Sequence, residues 1–418
     1  MRAEIIAVGS ELLTPYRLDT NSLFLTSELN QLGIRVVHKT VVGDTPDDMS
    51  SSFRHALDRA ELIVSSGGLG PTDDDRTRQT VAELLGRRLR TDEAVLRHIQ
   101  ERFRRFRPGR VMPEINARQA QVPEGATVLP NPNGTAPGLW LEANGHILIL
   151  LPGVPGELRG LFETQVKPRL ARVGGKLRLY TRELRITGLP ESEVETRVSP
   201  LYALYPDTET TILASPPGIQ LHPSVWSDDS AKAEKLLDEI VARMSLALGE
   251  HLYSMNGESL EEVLGRILTE NHATIAVAES CTGGLVAERL TNVAGSSAYF
   301  LGGVVCYSNQ LKSKIVGVSP GIIEAKGAVS PEVALALAEG IRERTRAEFG
   351  LGVTGIAGPG GGTPEKPVGL VYIALADERG PRQKEFRFLG DRERIRLFAS
   401  QAALDMARRY FLTPQTRS

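Results

Sequence analysis

Histidine runs out early in this chain. The seven are His38, His55, His98, His146, His222, His251 and His272, so nothing beyond residue 272 offers an imidazole. A Ser-His-Asp triad or a Cys-His pair confined to the last part of the sequence is thereby excluded, and a hydrolase there needs another base. Cysteine is nearly absent as well. Cys281 and Cys306 are the only two, which argues for reduced thiols in a cytosolic protein rather than a disulfide framework. Lysine is scarce beside arginine, 10 against 39, and after His272 only Lys312, Lys314, Lys326, Lys366 and Lys384 remain. A net charge of −2 leaves no global basic field to draw the protein to nucleic acid. No apolar run approaches the length of a membrane span, and the opening MRAEIIAVG reads as a strand rather than a signal peptide. The expectation is a cytoplasmic protein with neither a nucleic-acid nor a membrane partner.

What is present is chain enough for two or three domains, 418 residues. The pattern is α/β, with three parts. Residues 1–170 read as strand (Glu4 to Val8), helix (Asn21 to Leu32), strand (Ile34 to Val42), helix (Pro46 to Ala60) and strand (Leu62 to Ser66). That alternation predicts a parallel sheet with helices on both faces, a three-layer domain. Residues 171–252 form a small α+β connector: strands at Leu179 to Ile186 and Thr210 to Ala214, then an amphipathic helix over 227–249. It carries no GxxG loop of the kind that clamps a nucleic-acid backbone, so it reads as a connector or dimerisation module, and a homodimer is expected. Residues 253–418 are a second α/β domain, with strands from Ile275, at Gly303 to Tyr307, Gly350 to Thr354, Val368 to Ala376 and Gln383 to Phe388, and a closing helix from Arg392 to Tyr410.

The stretch TIAVAESCTGG (274–284) is the most informative. A short β-branched run ends in Ser280, Cys281 and Thr282, and two glycines open an amphipathic helix. A hydroxyl and a thiol stand at the turn, with helix-start amides beside them. An ordinary Ser/Thr N-cap would look the same. With no histidine available, lysine is the known substitute base, and Lys312 follows the next strand. A surface lysine is the plain alternative. Ser280 is favoured over Cys281 as nucleophile, because a reactive thiolate needs a nearby cation and because only one of two adjacent side chains in a tight turn should face a substrate. Turn amides near Cys281, Thr282 and Gly283 would hold an oxyanion. The glycine-dense loop GIAGPGGGTPEKPVG (355–369), with Gly358 and Gly360, would hold a phosphate or an amide oxygen.

In the first domain the informative residues follow the strands, where ligands of parallel sheets bind. Ser10 follows the first, Asp44 the second, and SSGGLGPTDDDRT (65–77) the third. Gly67, Gly68 and Gly70 let the backbone approach a ligand, and Asp73, Asp74 and Asp75 crowd carboxylates where a hard cation would suit them. Part of that acidity is ordinary helix-start preference. Asp44 and Glu157 could converge with Asp75 as metal ligands, and Asn131 and Gly134 sit in a second glycine-bearing loop counted with the substrate contacts. The basic segment RHIQERFRRFRPGR (97–110), with Arg97 and Arg104, reads either as a solvated face or as a collector of phosphorylated ligands.

AESCTGG, YSNQLKSKIVGV, AVS, TGIAGPGGGTPEKPVG and FLGDRERIR, in that order over roughly 260 to 412, resemble the C-terminal domain of the CinA family and the related PncC amidohydrolases. That resemblance implies hydrolysis of the amide of nicotinamide mononucleotide, without a cofactor. Ser280 corresponds to the nucleophile, Lys312 to its base, Tyr307 and Thr354 to active-site neighbours, and Arg392 and Arg396 to phosphate or carboxylate contacts. GGLGPT with its aspartates, and LPGVPGE, resemble the family's N-terminal half over about 3 to 170, which is similar to the molybdopterin-binding fold of the MogA and MoeA proteins (MoCF-like). It implies metal-dependent cleavage of ADP-ribose to AMP and ribose 5-phosphate, with Mg or Co held by Asp44, Asp75 and Glu157 and potassium as a further candidate. Asp75 would be catalytic as well. The connector corresponds to a KH-like module. SELLTPYRLDTNS departs from the glycine-bearing version of this loop in many relatives. Two rivals stand beside the bifunctional hydrolase: a molybdopterin-handling transferase, since the first fold is shared, and a non-enzymatic protein of DNA uptake.

Overall fold

The Arg2–Val8 strand is buried at every residue after the first, and Leu62–Ser66 at all of its positions. Strands so continuously apolar demand cover on both faces. In the computed structural model, which describes Met1–Leu412, they lie at the centre of a six-stranded sheet. Its order is Arg35–Val42, Arg2–Val8, Leu62–Ser66, His146–Leu151, Gly138–Ala143, Thr127–Leu129. The first four strands are parallel. Alternation along them divides the core. Ala3, Ile5, Leu62 and Val64 pack with Leu25, Leu29 and Phe162 on one face, while Ile6, Val8 and Ile63 pack with Met49, Phe53 and Val81 on the other. These are the three layers expected. The sheet is not wholly parallel, however, because Gly138–Ala143 and Thr127–Leu129 add antiparallel strands. The first of these joins its neighbour through Asn144 and Gly145 at φ 50° and 83°, the two-residue turn that an Asn-Gly pair favours.

The described residues fall into two compact units: Met1–Leu179 with Trp226–Ser230, and Tyr180–Val225 with the chain from Ala231 onward. In the second unit the expected strand over 179–186 is two pieces, Arg178–Thr181 and Leu184–Ile186. A long strand that the sequence reading left out, Gly218–Ser227, pairs antiparallel with Thr208–Ser215 and Leu184–Ile186. Leu184, Ile186, Leu221, Val194, Val198, Ile240 and Met244 close this small α+β core.

The other sheet of the second unit runs Phe300–Val305, Ile275–Glu279, Phe349–Gly355, Leu370–Asp377, Gly380–Arg387. Its first three strands are parallel and the last two antiparallel. The expected strand at 303–307 sits three residues earlier. Parallel pairing from Ile275 to Glu279 takes Phe300 to Val305 as its partner, and the carbonyls of Cys306 and Tyr307 then leave the ladder for the Lys312 side chain. The expected C-terminal domain runs to residue 418, of which 413–418 lie outside the described residues. Among the described residues no helix is long and apolar enough to cross a membrane.

Candidate active site

Three parallel strands of the second sheet deliver their carboxyl ends to one place, where ligands of such sheets bind. Ser280 follows Ile275–Glu279, Tyr307 follows Phe300–Val305, and Thr354 ends Phe349–Gly355. They enclose a cavity of about 220 Å³ whose walls include Ser280, Lys312, Tyr307, Thr354, Val329 and Arg392. The Ser280 amide donates to Val353 O (3.0 Å), which pins the start of the turn to the central strand.

Lys312 is 1% exposed. A buried ammonium is costly unless its protons find acceptors. Here Nζ meets Ser280 Oγ at 3.0 Å, Cys306 O at 2.9 Å and Tyr307 O at 3.2 Å, donating to each when protonated. Burial pushes its pKa below the ordinary lysine range. The backbone that brings it there is a π-helical turn, Lys312–Val316, following the short helix Asn309–Leu311; such turns recur at functional positions. In its neutral form the amine can accept the proton of the Ser280 hydroxyl across the same 3.0 Å.

Cys281 lies among Ile275, Leu260, Val286 and Val353 in the apolar core, and burial pushes its thiol up to about 12. A thiol so placed stays protonated at working pH. The residue borders the cavity beside Ser280, but its side chain packs into the core. Chemistry, rather than direction alone, separates them.

The two arginines part company. Arg392 lines the cavity and donates to Gly358 O (2.7 Å) and the Tyr307 hydroxyl (2.9 Å). Arg396 is turned to the backbone of the nucleophile turn, donating through Nε (3.1 Å) and Nη2 (2.8 Å) to Thr282 O. The Thr282 hydroxyl is buried without a hydrogen-bond partner. Gly283 takes φ 64° and its amide donates to Ser280 O (3.2 Å). Gly358 anchors the glycine loop through its carbonyl, whereas Gly360 is exposed with open space where a side chain would project. Thr354 is buried, and its hydroxyl donates to Ala328 O (2.7 Å), so it holds the cavity wall. Two residues escaped the sequence reading. Lys366 donates to Lys326 O (2.6 Å) and Val329 O (2.7 Å), tying the glycine loop to that same wall. Glu279, one residue before Ser280, buries its carboxylate against the turn. An acid closing an otherwise apolar strand was the available signal for it.

In the first unit the expected residues stay apart. Asp44 and Ser10 bond each other's main chain, at 2.8 and 3.1 Å. Asp75 accepts from the Thr72 amide (2.9 Å) and hydroxyl (2.5 Å), and Asp73 pairs with Arg118. Glu157 accepts from Asn131 (2.7 Å), whose own oxygen caps the amides of Asn133 and Gly134 (3.0 Å each). Among the described residues no three His, Cys, Asp or Glu side chains come together to hold a metal ion. Asp44, Asp75 and Glu157 each accept from a neighbouring amide or hydroxyl and do not form such a group in this structure. Gly67 and Gly68, at φ 108° and 64°, shape the loop, and buried Arg78 donates to Leu69 O (2.6 Å) and Gly70 O (2.9 Å) beneath it. Burial lowers the Arg78 pKa to about 10. The basic segment is a helix, Glu93–Phe106, whose Arg102 donates to Pro132 O (2.7 Å) and Asn133 O, bracing the Asn131–Gly134 loop. A cavity of about 250 Å³ does open at the strand ends, lined by Glu11, Arg17, Asp19, Asn21, Ser66 and Gly153. Asn21 spans it, donating to Ser66 Oγ (2.9 Å) and Gly153 O (2.8 Å).

Three domain models match the sequence in order: the "Probable molybdopterin binding domain" over 4–172, the damage-inducible protein CinA KH domain over 181–254, and the CinA C-terminal domain over 257–411. The CinA-like protein of Solibacter usitatus is 48% identical over 409 residues, covering 98% of both chains. That of Koribacter versatilis is 49% identical over 414 residues, covering 98% of this chain and 99% of its own. A crystal structure of CinA from Thermoplasma acidophilum, described as of unknown function, is 37% identical and covers 40% of this chain and 96% of its own, with a TM-score of 0.37. Near-half identity along almost the whole length, with the three domains in order, makes this chain a member of the CinA family of competence- and damage-inducible proteins.

Proposed function

We propose that the C-terminal half hydrolyses the carboxamide of nicotinamide mononucleotide to nicotinate mononucleotide and ammonia. One observation carries the reading: a buried lysine with a lowered pKa stands 3.0 Å from a serine hydroxyl at the floor of a cavity. Ser280 Oγ attacks the amide carbon while the neutral Lys312 amine takes its proton. The amides of Cys281 and Thr282 receive the oxyanion. Lys312 returns the proton to the departing nitrogen, ammonia leaves, and an acyl ester on Ser280 remains. Water then attacks the ester, giving its proton to Lys312, and the acid is released as Ser280 recovers its hydrogen. Arg392, at the rim with Tyr307, is suited to the substrate phosphate. The test is chromatography of products from nicotinamide mononucleotide together with an ammonia assay. Unchanged substrate under all conditions rejects the reading.

For the first unit the reading we favour is a site for ADP-ribose in the cavity beside Asn21, with Arg17 as its cation. It is supported by the position of that cavity beyond the strand ends. Incubating the full chain with ADP-ribose, with and without a chelator, tests it.

A further inference from the structure

One buried carboxylate in the second unit pairs with no cation among the described residues. Glu279 closes the Ile275–Glu279 strand immediately before Ser280 and is 1% exposed. Its partners are main-chain amides. Oε2 accepts from Gly284 (2.9 Å) and Val286 (3.1 Å), and Oε1 from Ala287 (2.8 Å). A carboxylate withdrawn from water persists only where hydrogen bonds replace its hydration, and charge-assisted bonds at the positive end of a helix do this well. The chain folds back within so few residues because Gly283 and Gly284 both take positive φ, 64° and 97°, a conformation open to glycine. The main chain of Glu279 is tied in too. Its carbonyl accepts from the Cys306 amide (2.8 Å). The Cys306 carbonyl in turn accepts from Lys312 Nζ (2.9 Å), which touches Ser280 Oγ.

We infer that Glu279 is a positioning residue for the Ser280–Lys312 pair. It also occupies the amides of Gly284, Val286 and Ala287 at the start of the Leu285–Thr291 helix. The amides around the turn divide cleanly. Ser280 donates to Val353 O and Gly283 to Ser280 O, while Leu285 lies 3.4 Å from Thr282 O. Those of Gly284, Val286 and Ala287 go to Glu279. Those of Cys281 and Thr282 meet the Cys281 sulfur and stand adjacent to the attacking oxygen. Were the carboxylate absent, those three amides would lose their acceptor, and the turn that carries Ser280 would lose its anchor beside Lys312. Misplacement of this kind damages the transition state more than the ground state. A shift of about 1 Å can cost roughly a hundredfold in rate.

The inference rests on the deamidase reading for its kinetics, so the experiment carries a second readout that does not. Glu279→Gln keeps the size but turns one acceptor into a donor facing an amide N–H, whereas Glu279→Asp keeps the charge with a shorter reach. For each variant, kcat and KM for nicotinamide mononucleotide are measured, together with the rate at which a sulfonyl fluoride labels Ser280, followed by mass spectrometry. Glu279→Gln should lower kcat about a hundredfold and slow labelling comparably, with KM within about threefold, and Glu279→Asp should recover about tenfold of that loss. Values of kcat and labelling within about threefold of the parent for Glu279→Gln overturn the inference. Should that variant fail to fold, Glu279→Asp decides: a kcat loss above about threefold at unchanged KM supports the role, and a smaller loss overturns it. If the parent chain labels at Ser280 yet leaves the mononucleotide untouched, the deamidase reading alone fails, and the labelling rates judge Glu279.

Discussion

The two units set comparable tasks at comparable places, the carboxyl ends of parallel strands, and answer them differently. In the second, Ser280 and Lys312 come from separate elements and meet at 3.0 Å in a buried setting. In the first, Asp44, Asp75 and Glu157 each turn to a nearby serine, threonine or asparagine. The difference lies in what each side chain could otherwise do. Asp75 satisfies itself locally, at Thr72 three residues away, while Asp44 and Glu157 meet partners from other loops, so the crowding of acids in sequence says little about convergence in space. Lys312 likewise takes two carbonyls close in sequence, those of Cys306 and Tyr307, but its length also carries it to Ser280, and function follows from that reach.

The hardest blow to this comparison would be a second unit that works without its pair. Ser280→Ala should therefore cost at least about a thousandfold in deamidation, the scale of a lost covalent nucleophile. Lys312→Arg should be nearly as damaging, since a guanidinium stays protonated. Cys281→Ala should keep most of the activity, because a thiol pushed up to about 12 is not a thiolate at neutral pH. Steady-state rates on nicotinamide mononucleotide check all three. An inactive Cys281→Ala beside an active Ser280→Ala reverses the assignment.

The next effect is on pH. Burial lowers the Lys312 pKa, so the active amine is the minor form below that value and its fraction rises about tenfold per pH unit until the pKa is passed. The acid limb should therefore lie well below the ordinary lysine range. Folding stability follows the same sign. Between the lowered folded pKa and the ordinary one, the unfolded chain binds a proton that the folded chain does not, so this group makes stability rise with pH across that window. An acid limb that stays at the ordinary lysine value, with denaturation midpoints that ignore Lys312→Met, removes Lys312 from the role of base.

Much of this was legible in the sequence, for identifiable reasons. The missing histidines after His272 narrowed the base to five lysines, and the position of Lys312 after the second strand, with the family resemblance, singled it out. The apolar runs at Ile5, Ile63 and Ile275 marked the central strands, because burial on both faces leaves few other residues possible. What escaped had local causes. The Asn144-Gly145 hairpin signal was present but unread, so the mixed sheet was taken as parallel. The strand at 300–305 was misplaced because Gly302 and Gly303 weaken its pattern. Glu279 and Lys366 act through main-chain partners, and no spacing of side chains reveals a bond to a carbonyl or an amide.

A smaller effect is expected where the glycine loop meets the cavity wall. Lys366→Met removes both donations to the 326–329 segment, which Thr354, the Ser330 hydroxyl on Gly327 O and the Lys326–Glu332 pair still hold. Each lost bond is worth about 1 kcal/mol, and the group lies outside the reacting centre. KM should therefore rise by about five- to tenfold with kcat within about threefold, because the wall defines where substrate rests rather than how it reacts. A collapse in kcat with KM unchanged would move Lys366 among the groups that act on the transition state.

The least effect should come from the first unit, and that is where the comparison is sharpest. Asp75→Asn alters a side chain whose carboxylate holds the Thr72 amide and hydroxyl. An amide oxygen there still accepts one of these bonds, so the loop should persist. Nothing in the Ser280–Lys312 mechanism passes through Asp75 or through a metal, so deamidation should stay within about twofold of the parent. Excess chelator should leave it equally unmoved. Cleavage of ADP-ribose, measured on the same preparations by chromatography, is the readout that should respond to Asp75→Asn if the loop after the third strand serves that substrate. If deamidation fell with ADP-ribose cleavage, in the variant or under chelator, the two sites could no longer be treated as separate chemistries.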